Sequence, residues 1–200
     1  MARLTREQKQ ALTREKLLSS ALDVLARDGF DGASVERIAE EAGFSKGAFY
    51  SNFSSKEEIM LELLEGNAGN DVKELTELFR EVTDPDEVIE IVARWCDSRA
   101  GEQKWGLIAI EFLRRAQRDG TLGDRHRHLF VSQWEEVGAL LQSKLLLGDK
   151  PDISALDLGG IVFELTYGGI SSFLKANTSG QMVRHVLQSF RHSAQVTHVD

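Results

Sequence analysis

Cysteine is almost absent from this chain. Its one thiol, Cys96, has no partner, which excludes an internal disulfide framework and suits a reducing cytoplasm. Proline is nearly as scarce, with only Pro85 and Pro151 in 200 residues, so long helices can run uninterrupted. No apolar signal follows the initial Met. The longest apolar stretch, Leu158 to Leu174, contains Glu164 and four glycines, which argues against a membrane span. Catalytic patterns are missing too. There is no phosphate-cradling glycine loop, no G-x-S-x-G and no Cys–His pairing with local context, so neither an enzyme nor a cofactor is expected. His126 and His128 flank Arg127, but residues two apart on a helix point to different sides. His185 and His192 can share a helix face without an acidic cluster beside them. No metal site is expected.

What is present is charge and helical patterning. Hydrophobic residues make up 42% of the chain and the net charge is −8. That acidity is uneven. Residues 1–60 carry 9 basic and 10 acidic side chains, the remainder 15 and 22. The first third is therefore nearly neutral, and residues 1–16 are locally basic through Arg3, Arg6, Lys9, Arg14 and Lys16. Such a segment reads either as an arm following a DNA backbone or as a solvated, frayed terminus. No repeat, low-complexity tract or strand-like alternation occurs, so the fold class is all-α, with about nine helices.

One stretch organises the rest, residues 34–56. Ser34 can cap a short helix, in which Val35, Ile38, Ala39 and Ala42 form one stripe. Gly43 stops it. Ser45 can cap a second helix from Lys46 to about Phe53. A short helix, a glycine turn and a second short helix make a helix-turn-helix, whose second helix enters the major groove of DNA.

With a long first helix ending in Asp28-Gly29-Phe30, the segment Ser34-Val-Glu-Arg-Ile-Ala39, then Ala42-Gly-Phe-Ser45 and Gly47-Ala-Phe-Tyr-Ser-Asn-Phe53-Ser-Ser-Lys56, residues 13–62 resemble the DNA-binding domain of the TetR family of transcriptional regulators. The expected DNA-contacting set is Ser34, Ser45, Lys46, Gly47, Ala48, Tyr50, Ser51, Asn52 and Lys56, of which the resemblance implies roles for Tyr50 and Lys56. In it Tyr50 donates its hydroxyl to a phosphate, and Lys56 meets another at the start of the next helix. By chemistry, Lys46 suits a phosphate, and small Gly47 and Ala48 let the backbone approach the groove. Phe30, Ile38, Phe44 and Phe53 are expected in a small core, while Phe49 is open between core and groove.

Further along, Ser55-Lys-Glu-Glu58 forms a capping box. It opens a helix interrupted by Gly66 and Gly69, read either as a soft hinge or as a simple break between two helices. Asp84-Pro85 starts the next. Trp105–Arg118 is apolar around much of its circumference and should be central. Gly120–Gly123 reads as a loop, followed by helices over about 124–147, 153–176 and 179–193.

The resemblance implies a division at about residue 62, with 1–62 reading DNA and 63–200 binding an effector and dimerising. Trp95, Trp105, Phe112, Phe130, Trp134, Phe163 and Tyr167 are the candidate pocket aromatics, with Glu111, Gln133 and Glu164 as polar groups. The same aromatics can equally be core. Gly160, Phe163, Gly168, Phe173, Val183, Val186, Leu187 and Phe190 are expected on a dimer face, because two reading heads on a palindrome extend a short recognition helix. The expected function is a ligand-responsive regulator, a cytoplasmic homodimeric repressor released from a pseudo-palindromic operator by a small-molecule effector. The competing reading is a helical ligand-binding or interaction module without specific DNA binding.

Overall fold

The computed structural model describes residues 5–118, 120–147, 152–168 and 177–197, and these form nine α-helices and no strand. Helix α1 spans Arg6–Gly32. Thr5 and Gln8 cap it reciprocally, each side chain taking the other's backbone N–H. Leu17, Ala21, Val24 and Leu25 form its buried stripe. Gly29 breaks the regular helix with φ +68, a conformation that costs a residue with a Cβ. Helix α2 (Val35–Glu41) is capped by Ser34, which accepts from Arg37 N at 3.1 Å. After Gly43, at φ +79, Ser45 caps α3 (Lys46–Tyr50) by accepting from Ala48 N at 3.2 Å. This second helix is shorter than expected. Ser51 and Asn52 lie in the turn beyond it.

Helix α4 runs unbroken from Lys56 to Leu78 through Gly66 and Gly69, so the expected break between two helices is not there. A Cβ added at either glycine meets nothing within 4 Å. Glu58 takes part in the cap, but one residue earlier than expected: its carboxylate accepts from Ser54 N and Oγ.

Helix α5 (Pro85–Gly101) starts at Asp84, which accepts from Asp86 N at 2.9 Å. Helix α6 (Gln103–Arg118) is not apolar on all sides in its setting. Ile108 and Phe112 are buried, while Leu107, Ile110 and Leu113 are about half exposed. Helix α7 (Gly120–Lys144) begins at the glycine expected to lie in a loop. It ends earlier than expected, with Leu146 at φ 55 and Leu147 N donating to Gln142 O. Helices α8 (Ala155–Tyr167) and α9 (Ser179–Thr197) complete the described chain.

Two cores result. One joins α1–α3 and the start of α4 to Ile108 and Phe112 of α6. The other joins the end of α4 with α5, α7, α8 and α9. Small residues set the second core's spacing. A Cβ on Gly138 would stand 1.7 Å from Ala155 O, and one on Gly159 2.0 Å from Trp134 O. Gly160 faces the Trp134 ring in the same way. The glycines of α8 thus admit α7 of the same chain, which corrects the dimer reading of Gly160. Val183, Leu187 and Phe163 are likewise buried within one chain. Val186 and Phe190 keep partial exposure, Gly168 is exposed, and Phe173 lies outside the described residues.

Candidate nucleic-acid interface and ligand cavity

Phe49 settles the orientation of α3. It is fully buried, its ring 5.5 Å from Tyr50 and 5.7 Å from buried Phe53. With Phe49 inward, Lys46, Gly47, Tyr50 and Ser51 are exposed together with Ser34, Arg37 and Ser45, while Ala48 is half-buried. Lys46 pairs with Glu36 of α2, and that contact raises the lysine and lowers the glutamate from their ordinary pKa values. A phosphate would have to take Lys46 from this carboxylate. Tyr50 is 51% exposed.

Two expected contact residues are turned inward. Asn52 Nδ2 donates to Ala48 O at 2.8 Å, and its Oδ1 is buried without a hydrogen-bond partner. The Lys56 ammonium donates to Phe30 O and Ala33 O, and lies 4.1 Å from the centre of the Phe30 ring. It thus satisfies carbonyls left free at the end of α1. Desolvation lowers its pKa. Ser51 Oγ donates to Gly47 O at 2.9 Å.

Arg14 carries a role that local pattern does not reveal. It makes a two-pronged ion pair with Glu62, donates to Asn52 O, and stacks 4.1 Å from the Phe53 ring centre. It ties α1, the end of the reading segment and α4 together. Its partners lie 38 and 48 residues away, beyond any helical spacing. Asp28 is held at about 2 by hydrogen bonds from Arg27 and Arg37, which joins α1 to α2.

A cavity of about 520 Å³ opens between α4, α6, α7 and α8, within the range of small-molecule sites. Six of the seven candidate aromatics line it: Trp105, Phe112, Phe130, Trp134, Phe163 and Tyr167. Trp95 does not. It is core, set edge-on to Phe163. Gln133 and Glu164 are on the wall, but Glu111 is not and pairs with Arg114. Asn67 and Arg127 also line it, neither singled out in the sequence.

Behind the wall sits Asp71, fully buried on α4. Tyr167 Oη donates to its Oδ2 at 2.8 Å, with Gln133 Nε2 and Asn67 Nδ2 each at 3.4 Å. Arg99 Nε stands 3.1 Å from Oδ1, a charge contact without hydrogen-bond alignment. Burial, outweighing Tyr167 and Arg99, pushes Asp71 up to about 6. A lone aspartate on a helix gives no sequence signal for this, since its partners come from α5, α7 and α8. Among the described residues no cluster of metal-ligating side chains forms, and no helix is long and apolar enough to cross a membrane.

Cavity and reading head are physically joined. Leu64, Asn67 and Ala68 line the cavity from the same helix whose first turn holds the helix-turn-helix. On α6, Arg115 pairs with Asp31, and its guanidinium lies 3.8 Å from the Phe30 ring centre. Lys104 pairs with Asp23 at 2.6 Å.

Comparison with known proteins agrees with this geometry. Residues 17–63 match the family model for bacterial regulatory proteins of the tetR family. A fatty acid metabolism regulator protein of Bacillus subtilis is 24% identical over 102 residues, which is 50% of this chain and 53% of that protein. The chain thus spans about half the length of this curated relative. A structure from Mesorhizobium loti MAFF303099, assigned to the TetR-family transcriptional regulators, superposes with TM-score 0.70 at 18% identity. It covers 97% of this chain and 98% of that one. FadR of Bacillus subtilis, solved in complex with stearoyl-CoA, superposes with TM-score 0.70 at 18% identity, over 88% of this chain and 96% of that one. Residues 17–63 of this chain thus match the helix-turn-helix model of the tetR family of bacterial regulatory proteins, on a helical body that shares its fold with the Mesorhizobium loti structure.

Proposed function

We propose that the protein is a ligand-responsive, sequence-specific DNA-binding transcriptional regulator. It acts as a repressor in the cytoplasm and leaves a palindromic operator when a small molecule fills the cavity. The observation that carries this reading is the shared helix: one unbroken α4 forms both a wall of the cavity and the seat of the reading head. The FadR neighbour with stearoyl-CoA supports a small-molecule occupant for a body of this fold.

In this reading residues 1–62 bind DNA, and 63–200 bind effector and pair two chains. Lys46, Gly47, Tyr50 and Ser51 meet DNA, with Ser34 and Ser45 at the helix starts. Ala48 contributes at the groove. Lys56 and Asn52 hold the reading helix in place. The homodimer forms on the outer face of α8 and α9, through Gly168, Val186 and Phe190. An effector shifts the population only by binding the two head spacings with different affinity. It does so by pressing on α4 and α6, which both contact α1.

Selection of random duplex DNA on the purified protein tests this, with a Lys46→Ala, Tyr50→Phe variant alongside. An enriched inverted repeat, lost in the variant, is the expected result. No enrichment at any salt concentration would overturn it and leave a helical ligand-binding or interaction module in its place.

A further inference from the structure

The polar end of the cavity has a direction. Four helices bring Asn67, Asp71, Arg99, Gln133 and Tyr167 together there. Asp71, an ionised carboxylate at neutral pH, accepts and cannot donate. Each group beside it therefore presents a donor. Tyr167 spends its O–H on Oδ2 at 2.8 Å. Gln133 Nε2 lies 3.4 Å from the same oxygen and 3.5 Å from Ala68 O, two acceptors that fix which way the amide is turned. Asn67 Nδ2 lies 3.4 Å from Oδ2. With the nitrogens committed to the protein, oxygens remain for a guest. Asn67, Gln133 and Tyr167 all line the cavity.

Charge runs the same way. Arg99 is the one guanidinium set against Asp71, Glu74 and Glu102, so the cluster carries more negative than positive charge. Phe163 and Tyr167 stack with rings 6.2 Å apart and 5° between planes. With Trp105 and Trp134 they offer π-faces, which attract cations.

We infer that the effector is a cationic amphiphile: an apolar body with a primary or secondary ammonium, its head received by the oxygens of Asn67, Gln133 and Tyr167. This rests on the effector-cavity reading above. An ammonium has up to three donors and no acceptor, which complements three oxygens. A carboxylate head at the same place would leave acceptors facing acceptors in a desolvated, negatively charged corner. The rest of the wall is apolar and takes the chain or ring.

The test uses the full-length protein with three ligands of equal length: decylammonium, decanoate and decanol. Tryptophan fluorescence reads binding, since Trp105 and Trp134 are on the wall, and release of a selected operator duplex reads the response. Decylammonium is expected to bind about tenfold or more tightly than either of the others, a difference of about 1.4 kcal/mol. Gln133→Met removes one receiving oxygen at similar volume. It should weaken decylammonium about tenfold and leave decanol within about twofold, as loss of one charge-assisted hydrogen bond predicts. Decanoate binding as tightly as decylammonium would overturn the inference and assign the head to Arg127 on the wall. Equal binding of decanol and decylammonium would overturn it as well, because the corner would then not read charge. If none of the three bound or released DNA, the effector-cavity reading would fall with it.

Discussion

Asp71 is a fully buried acid whose titration the fold moves toward neutral pH. Its carboxyl is pushed from 3.8 to about 6 by burial, so between those two pH values the folded state holds a proton that the unfolded state has released. The sign follows from linkage: this contribution favours the fold fully below the unfolded pKa and is lost as pH rises through about 6. Burial, Glu74 and Glu102 oppose the ionised form while Tyr167 and Arg99 favour it, and the balance leaves ionisation costing on the order of 3 kcal/mol. Asp71→Asn should therefore gain in thermal unfolding midpoint relative to the parent as pH rises from about 4 to about 6, and change little above that. A difference independent of pH would refute that account. Lys56 makes the complementary case. Its ammonium is embedded on Phe30 O and Ala33 O, so Lys56→Met should destabilise by about 1–3 kcal/mol through two orphaned carbonyls. Denaturant melts measure this directly, and a loss of DNA affinity without loss of stability would return Lys56 to a phosphate role.

Among the helices, α4 and α7 carry the testable consequences. Gly66 and Gly69 face open space within an intact helix. Alanine at both should stabilise by about 1 kcal/mol each, leave operator affinity unchanged and blunt release by effector if the segment bends. A full response in the double variant would remove the hinge. At the end of α7, Leu146 adopts φ 55 and is 69% exposed, a left-handed conformation that costs a non-glycine residue about 1–2 kcal/mol. Leu146→Gly is expected to raise stability by about 1 kcal/mol, seen as a higher denaturation midpoint, with part of the strain relief offset by glycine's greater unfolded-state entropy. Gly159→Ala goes the other way. The added carbon would meet Trp134 O at 2.0 Å, and no side-chain rotation relieves a clash with backbone.

For the whole molecule, the proposed regulation requires two heads held at a set spacing. Val186 is half-buried on α9 and outside the buried core of one chain. A Val186→Glu variant should sediment as a monomer, keep its helical spectrum and lose about two orders of magnitude in operator affinity, because each head alone reads half a site. An unchanged dimer would move the interface off this face. The overall acidity of −8 does not oppose DNA binding, since only the charge near phosphates matters. The affinity should still fall steeply with salt, by about 0.9 in log K per log unit of salt for each phosphate neutralised.

Sequence by itself determined the helix-turn-helix, because everything that makes it is local. Ser34, Ser45 and Gly43 are caps and a turn whose partners lie within four residues. The aromatic candidates for the cavity were legible for a similar reason, as large side chains on helical stripes. Tertiary structure alone decided which of them face space and which face core. Trp95 and Trp105 have the same chemistry, but only Trp105 borders the void. It also decided that Gly159 and Gly160 admit α7 instead of a partner chain, and that Lys56 and Arg14 brace the reading head. The Asp71 cluster was invisible in the sequence, since Asp71, Arg99, Gln133 and Tyr167 lie on four different helices. A carboxylate's partners across helices depend on the angles at which those helices cross, and those angles are set by packing that no local pattern records.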